Sequence, residues 1–326
     1  QQSLRTLTNA SRRAPYDIKL PLTIYNTSCY RGIPGKYIAA GPLASRWLQQ
    51  QFATDATLAR SGAQVLGEPA AGYLSHPGYD ALPKAPYRYQ EMLGVIWREN
   101  PSCYLEDGEQ AVLMAALMET DNAGRPLIDA WIKRSGLSAD AWLEKLFEAT
   151  VIPFYHLLCR YGVALIAHGQ NVTLVMKDYV PQRILLKDFQ GDMRLVDEDF
   201  PQAQSLPEQV KAVTARLSAD YIIHDLQTGN FVTVLRFISR LTLQCGVSET
   251  RFYQILAGVL RGYMAAHPDL AERFAKFDLF KPQIIRVILN PVKLTFSEHD
   301  GGSRMLPNYV TDLDNPLFLA PRESAQ

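Results

Sequence analysis

A-H-G-Q-N-V-T-L-V-M-K-D-Y-V-P-Q-R-I-L-L-K-D-F-Q-G, residues Ala167 to Gly191, holds two β-rich runs on either side of a turn. Val172 to Met176 and Arg183 to Lys187 favour extended backbone, and Lys177 to Gln182, with Asp178 and Pro181, favours the turn. The product is a hairpin. In an antiparallel pair the residue before the first strand and the residue after the second lie at one open end. Asn171 and Asp188 are therefore expected to be neighbours, and His168 and Gln170 arrive with Asn171. A carboxamide oxygen and a carboxylate meeting at one point suit Mg²⁺, which takes hard oxygen ligands and leaves positions for substrate phosphates. Protein kinases use an Asn and an Asp in the same way. Taken singly, His-Gly-Gln-Asn is an ordinary polar turn and Asp-Phe-Gln-Gly a strand end. Joined by a hairpin, they favour a nucleotide and metal site.

The chain has 326 residues and 47% hydrophobic content, ample for a core. No window approaches eighteen consecutive apolar residues, and the N-terminus lacks the succession of a signal peptide, so a cytoplasmic location without a membrane span is expected. Thirty-three basic and thirty-three acidic side chains cancel, which leaves no global field to attract nucleic acid or an anionic membrane. Cys29, Cys103, Cys159 and Cys245 are widely separated, with no CxxC pair, and read as reduced thiols. The first residues, Ser-Leu-Arg-Thr-Leu, already read as part of an element. The chain is therefore expected to be the C-terminal part of a longer protein.

Residues 1 to 36 carry Arg5, Arg12, Arg13, Lys19, Arg31 and Lys36 against one acid, Asp17. Short β-type runs, Ser3 to Leu7 and Asp17 to Tyr25, could turn Arg5, Lys19 and Arg31 toward one anion, with the hydroxyls of Ser3, Thr6 and Thr27 beside them. Arg offers a planar fork and Lys a point charge, a combination suited to a triphosphate or a polycarboxylate. A solvated basic sheet edge is the plainer alternative. Gly41 to Ser61 reads as a helix, and residues 63 to 90 as a loop-rich connector. Tyr87 to Trp97 and Ala111 to Met118 read as strands that could join the hairpin in a modest sheet. Helices dominate beyond Ile128. The longest, Ala139 to Tyr161, has a kink expected at Pro153 and His156 and Cys159 in the core. Further helices are expected near Pro207 to Leu217, Phe231 to Gln244, Glu249 to His267 and Leu270 to Phe277. His224 and Asp225 read as a structural pair on an apolar stretch.

Laid out together, these blocks resemble the nucleotide-dependent siderophore synthetases that work without a peptide-synthetase assembly line. The resemblance rests on Ser3-Leu-Arg-Thr6, Ile18-Lys-Leu with Thr27 and Arg31, Tyr161-Gly-Val-Ala-Leu-Ile-Ala-His-Gly-Gln-Asn and Val180-Pro-Gln-Arg-Ile-Leu-Leu-Lys-Asp-Phe-Gln-Gly. Phe280-Lys-Pro-Gln-Ile-Ile-Arg-Val and Asn315-Pro-Leu add to it. The family implies an α+β fold of palm, thumb and fingers. Residues 1–85 would form the end of a β-rich fingers lobe, and residues 86–326 a mainly helical palm with a small antiparallel sheet.

By position, the resemblance gives Ser3, Arg5, Thr6 and Lys19 to the phosphates of ATP. It gives His168, Gln170, Asn171 and Asp188 to the nucleotide, with Mg²⁺ on Asn171 and Asp188. Thr27, Arg31 and His168 would hold the carboxylate substrate, with Lys281 or Arg286 approaching the same pocket. Ile166 stands where many relatives carry an acidic residue, and would line that pocket or sit in the core. Arg5, Arg31 and His168 would act catalytically. The implied reaction adenylates a carboxylate of a citryl-hydroxamate intermediate and condenses it with the amine of N6-acetyl-N6-hydroxylysine, in a homodimer. The rivals are a small-molecule kinase using the same Asn and Asp, and a non-catalytic siderophore-binding protein.

Overall fold

A computed structural model gives the structure of the chain and describes residues 3–9, 14–26, 29–33, 35–81, 92–189, 191–288 and 308–320. In chain order the strands are β1 (Thr6–Thr8), β2 (Tyr16–Lys19), β3 (Leu22–Asn26), β4 (Cys29–Arg31), β5 (Gln64–Val65), β6 (Ala70–Tyr73), β7 (Gly94–Glu99) and β8 (Glu109–Leu113). They continue as β9 (Val163–Leu165), β10 (Val172–Lys177), β11 (Val180–Leu186), β12 (Met193–Val196), β13 (Ala215–Leu217), β14 (Gln283–Ile288) and β15 (Asn308–Asp314). The fold is α+β.

The hairpin is β10 and β11, in the register Val172 opposite Leu186. Its turn is tighter than the sequence suggested. Asp178 and Tyr179 both take positive φ, 49° and 64°, as a two-residue hairpin turn of right-handed twist demands. Pro181 lies inside β11, tolerated where the ladder shifts register between Val175 and Met176. Trp142 donates its indole N–H to the Tyr179 carbonyl at 2.8 Å and pins the turn to the helix beneath.

β5 joins β11 in parallel and β8 joins β10, giving a four-stranded sheet in the order β5-β11-β10-β8. One face, with Val172, Leu174, Met176, Ile184 and Leu186, is buried in the main core. The other, with Val175 and Leu185, packs on Leu66. Burial on both faces explains why this hairpin reads as an apolar run instead of an alternation.

The second four-stranded sheet, β1-β2-β7-β6, departs from expectation. The strand near Trp97 was expected beside the hairpin and instead pairs with β2 and β6. This N-terminal sheet thus extends to Glu99, and a division at residue 85 leaves one of its strands on the far side. Ala111 to Met118 also splits, into β8 and a 3₁₀ turn over Met114–Met118.

The helical half packs around Ala139–Thr150, Ile152–Tyr161 and Glu249–Ala266. Pro153 stands in the first turn of the second of these, so the expected kink is a break between two helices. Phe147 and Phe252 meet edge to face at 4.9 Å between centroids, and His156 and Cys159 are buried. The helix expected over Pro207 to Leu217 is a short turn, Glu208–Lys211, followed by β13. The stretch Gln227–Leu235 is a π-helix. Among the described residues no helix is long and apolar enough to cross a membrane.

Candidate active site

Strand alternation builds the site from two sheets. On β2, Asp17 and Lys19 share a face, and the register Asp17 opposite Arg98 places Arg98 of β7 on it too. Thr6 lies opposite Lys19 on β1 and is buried. This face meets the end of β11. Lys19 Nζ forms an ion pair with Asp188 Oδ1. Arg98 grips the same carboxylate with both terminal nitrogens, at 2.6 Å to Oδ1 and 3.3 Å to Oδ2. The other side of the Arg98 guanidinium reaches Glu68 Oε1 at 2.9 Å. Asp188 has φ 65°, a left-handed conformation that Asp adopts more readily than most residues. The surrounding bonds hold it there, as expected where strain serves a site.

Burial alone would raise the Asp188 pKa. The adjacent Arg98 and Lys19 charges more than offset it and hold the carboxyl well below its usual range. Burial likewise opposes charge on Arg98, and Asp188 and Glu68 overcome it. Lys187 belongs to the same cluster: burial lowers its pKa, opposed by Asp188 and reinforced by Arg98.

The helical half contributes the turn after β9. Gly169 is required there, because a Cβ would lie 3.0 Å from the Ala115 amide nitrogen, which itself donates to the Gly169 carbonyl at 3.1 Å. His168 Nδ1 accepts from the Gln170 amide at 3.3 Å. In the neutral ring the proton then sits on Nε2, which makes that edge a donor. Gln170 is exposed and Asn171 buried.

Asn171 and Asp188, expected to share a magnesium ion, are each engaged elsewhere. The Asn171 amide is directed to Ile166 O and Asp192 Oδ2, both at 3.4 Å, while Asp188 is matched by two cations. Among the described residues no group of three or more His, Cys, Asp or Glu could hold a metal. As arranged here, Lys19 and Arg98 converge on the Asp188 carboxylate, and Asn171 is turned to Ile166 and Asp192.

Arg5 also differs from expectation. Its guanidinium donates to the carbonyls of Arg31 and Gly32 and so shapes the Arg31 backbone. Ser3 closes a turn, its amide donating to Thr6 O at 3.4 Å, and the Arg31 side chain is half-buried. Thr27 lies outside the described residues. Lys281 pairs with Asp220 at 2.9 Å and Arg286 with Asp312, both on exposed surface. Ile166 is half-buried, with its Cγ2 3.7 Å from where a Cβ on Gly229 would stand. Sequence reasoning missed Arg98 and Glu68. The available signal was Arg98 itself, at an inward position of the apolar run G-V-I-W-R-E.

Comparison with known proteins bears on this arrangement. The model of the IucA / IucC family matches residues 1–119, and that of the ferric iron reductase FhuF-like transporters matches residues 140–303. Aerobactin synthase of Escherichia coli is 72% identical over 323 residues, covering 99% of this chain and 56% of that protein.

The chain belongs to the IucA / IucC family.

A second member, in the structure of aerobactin synthetase IucC from a hypervirulent pathotype of Klebsiella pneumoniae, is similar at TM-score 0.85 and 64% identity. The match covers 99% of this chain and 54% of that one. The petrobactin biosynthesis protein AsbB of Bacillus anthracis is similar at TM-score 0.83 and 25% identity, over 98% of this chain and 53% of that one. The chain thus spans about half the length of the IucA / IucC family relatives it matches.

Proposed function

We propose that this chain carries the nucleotide and carboxylate site of an ATP-dependent, amide-forming siderophore synthetase, with aerobactin as its product. The observation that carries the reading is the junction of Lys19, Arg98 and Asp188, where the N-terminal sheet meets the end of β11. Its cations suit the phosphates of a nucleotide, and Lys19 can exchange its carboxylate partner for a phosphate oxygen. ATP would supply the adenylyl group that activates the carboxylate. The carboxylate of the citryl intermediate attacks the α-phosphate, pyrophosphate leaves, and the amine of N6-acetyl-N6-hydroxylysine displaces AMP. The chain's own part is to position the anions and to donate hydrogen bonds where charge develops. His168 Nε2–H is such a donor, and Arg31, with its backbone held by Arg5, supplies a fork for the carboxylate.

The test uses the full-length protein with ATP, a citryl substrate and the hydroxylysine derivative. Wild type is expected to release AMP and pyrophosphate, and Asp188→Asn to stay folded and lose most pyrophosphate release. ADP as the nucleotide product would point to a kinase, and tight siderophore binding without ATP turnover to a binding protein. Sedimentation of the same sample tests the expected homodimer.

A further inference from the structure

The strand that leads from β9 to His168 is held by two other elements. The π-helix approaches it as closely as glycine permits: a Cβ on Gly229 would lie 3.2 Å from Ala167 N, and Asn230 Nδ2 donates to Ala167 O at 3.2 Å. The second element is the start of β12, and there the contacts converge on one residue, Asp192.

Asp192 bonds to both segments that meet in the candidate site. Its amide donates to Phe189 O at 3.3 Å, which ties it to the residue after Asp188. Its carbonyl accepts from the Ile166 amide at 3.2 Å, carrying the ladder one step beyond Met193 opposite Leu165. The side chain adds a third link, because Asn171 Nδ2 is directed to Asp192 Oδ2 and to Ile166 O, both at 3.4 Å. Asn171 also closes the turn through its main chain, with its amide donating to His168 O at 2.9 Å. A carboxylate oxygen and a backbone carbonyl only accept, so the amide nitrogen of Asn171, and not its oxygen, must lie between them. Arg194 does not compete for this contact, since its Nη1 donates to the carbonyls of Gly191 and Met193 at 2.6 and 3.0 Å.

We propose that Asp192 is a positioning residue for His168 and acts through Asn171. Its carboxylate fixes which way the Asn171 amide faces. That one residue then spans the turn, with its side chain on Ile166 O and its main chain on His168 O. The bonds made by the Asp192 backbone survive substitution, so the side-chain link is the part that a variant can remove. The inference rests on the ligase reading and deepens it, naming the residue that sets where the His168 donor stands.

The test uses the full-length protein with ATP, a citryl substrate and the hydroxylysine derivative, and follows pyrophosphate release and Tm. In Asp192→Ala, kcat is expected to fall about tenfold, the worth of one hydrogen bond to a charged group, with the KM for ATP moved less than about twofold. Asp192 is half-buried, and Tm should stay near that of wild type. Asp192→Asn keeps an acceptor of the same reach and should restore most of kcat. In an Asn171→Ala background, Asp192→Ala should cause no further fall, because the group it acts through is gone. A purely structural role instead lowers Tm and leaves kcat per folded molecule unchanged. Should Asp192→Ala not fold, Asp192→Ser takes its place with the same expectations, since its hydroxyl keeps the position polar but stops short of the Asn171 amide. An unchanged kcat in the folded variant, no recovery in Asp192→Asn, or an equal fall with and without Asn171 overturns the inference. Absence of AMP and pyrophosphate with wild type overturns the ligase reading itself, and this inference with it.

Discussion

Arg98→Met removes one charge from the centre of the site and nearly preserves its volume. In the wild type the guanidinium serves two carboxylates at once, Glu68 at 2.9 Å and Asp188 at 2.6 Å. Asp188 is 16% exposed and keeps Lys19 as a partner, so its loss is partial. Glu68 is wholly buried and loses the cation opposite it. Removing one member of a buried pair costs about 3–5 kcal/mol, because a charge is left without compensation. For a protein of this size the fall in Tm is about 2 °C per kcal/mol, hence about 6–10 °C. The assay is the urea midpoint at neutral pH together with Tm, for Arg98→Met, Glu68→Gln and the double variant. Glu68→Gln in the Arg98→Met background neutralises the acid that has lost its guanidinium and should recover more than about 1 kcal/mol, the coupling expected of contacting groups. If Arg98→Met lies within about 1 kcal/mol of wild type, or the two substitutions simply add, the triad does not hold the two sheets together as argued.

Arg31→Lys replaces a planar fork by a point charge and is expected to raise the KM for the citryl substrate about tenfold to a hundredfold, with the ATP value nearly unmoved. A shift in the ATP value alone would assign Arg31 to the wrong ligand. Asp55 caps the helix Ala56–Ser61 and faces His156 at 3.1 Å. Burial would raise its pKa, but the His156 hydrogen bond and charge and the Leu58 and Thr57 amides prevail and depress it. A depressed carboxyl contributes stability that is complete above its unfolded pKa of about 3.9 and is lost as pH falls toward the folded value. Asp55→Asn keeps the cap and should flatten the fall in urea midpoint between about pH 5 and pH 3; equal slopes in the two proteins would count against the Asp55–His156 pair.

The hairpin was legible because its information is local. Two β-rich runs and a polar turn over Ala167 to Gly191 suffice to bring His168, Asn171 and Asp188 to one end. The partners of those residues were not legible. Asp188 was expected to reach across the hairpin mouth to Asn171, and it instead turns to Lys19 and Arg98, which belong to another sheet. That outcome depends on β7 pairing with β2, a long-range choice for which V-I-W-R-E carries no local signal. Arg5 is a related case: its charge suggested an anion, and its guanidinium donates to the carbonyls of Arg31 and Gly32, which its charge alone does not announce. The π-helix was invisible because its apolar residues fit an α-helical repeat equally well, and the Gly229 approach to Ala167 appears only once the strand is in place.

β5 gives the site a main-chain attachment. Gln64 and Val65 run parallel to Leu185 and Leu186, and the Leu66 amide adds a bond to Leu186 O at 2.9 Å, two residues short of Asp188. The chain on either side of this short seam leads into the N-terminal sheet and its helix. The seam is joined to β11 by main-chain bonds, and the Lys19 contact beyond it is made by side chains alone. Transfer of Lys19 from Asp188 to a phosphate would leave these main-chain bonds intact, so the attachment along β5 does not depend on what the Lys19 side chain holds.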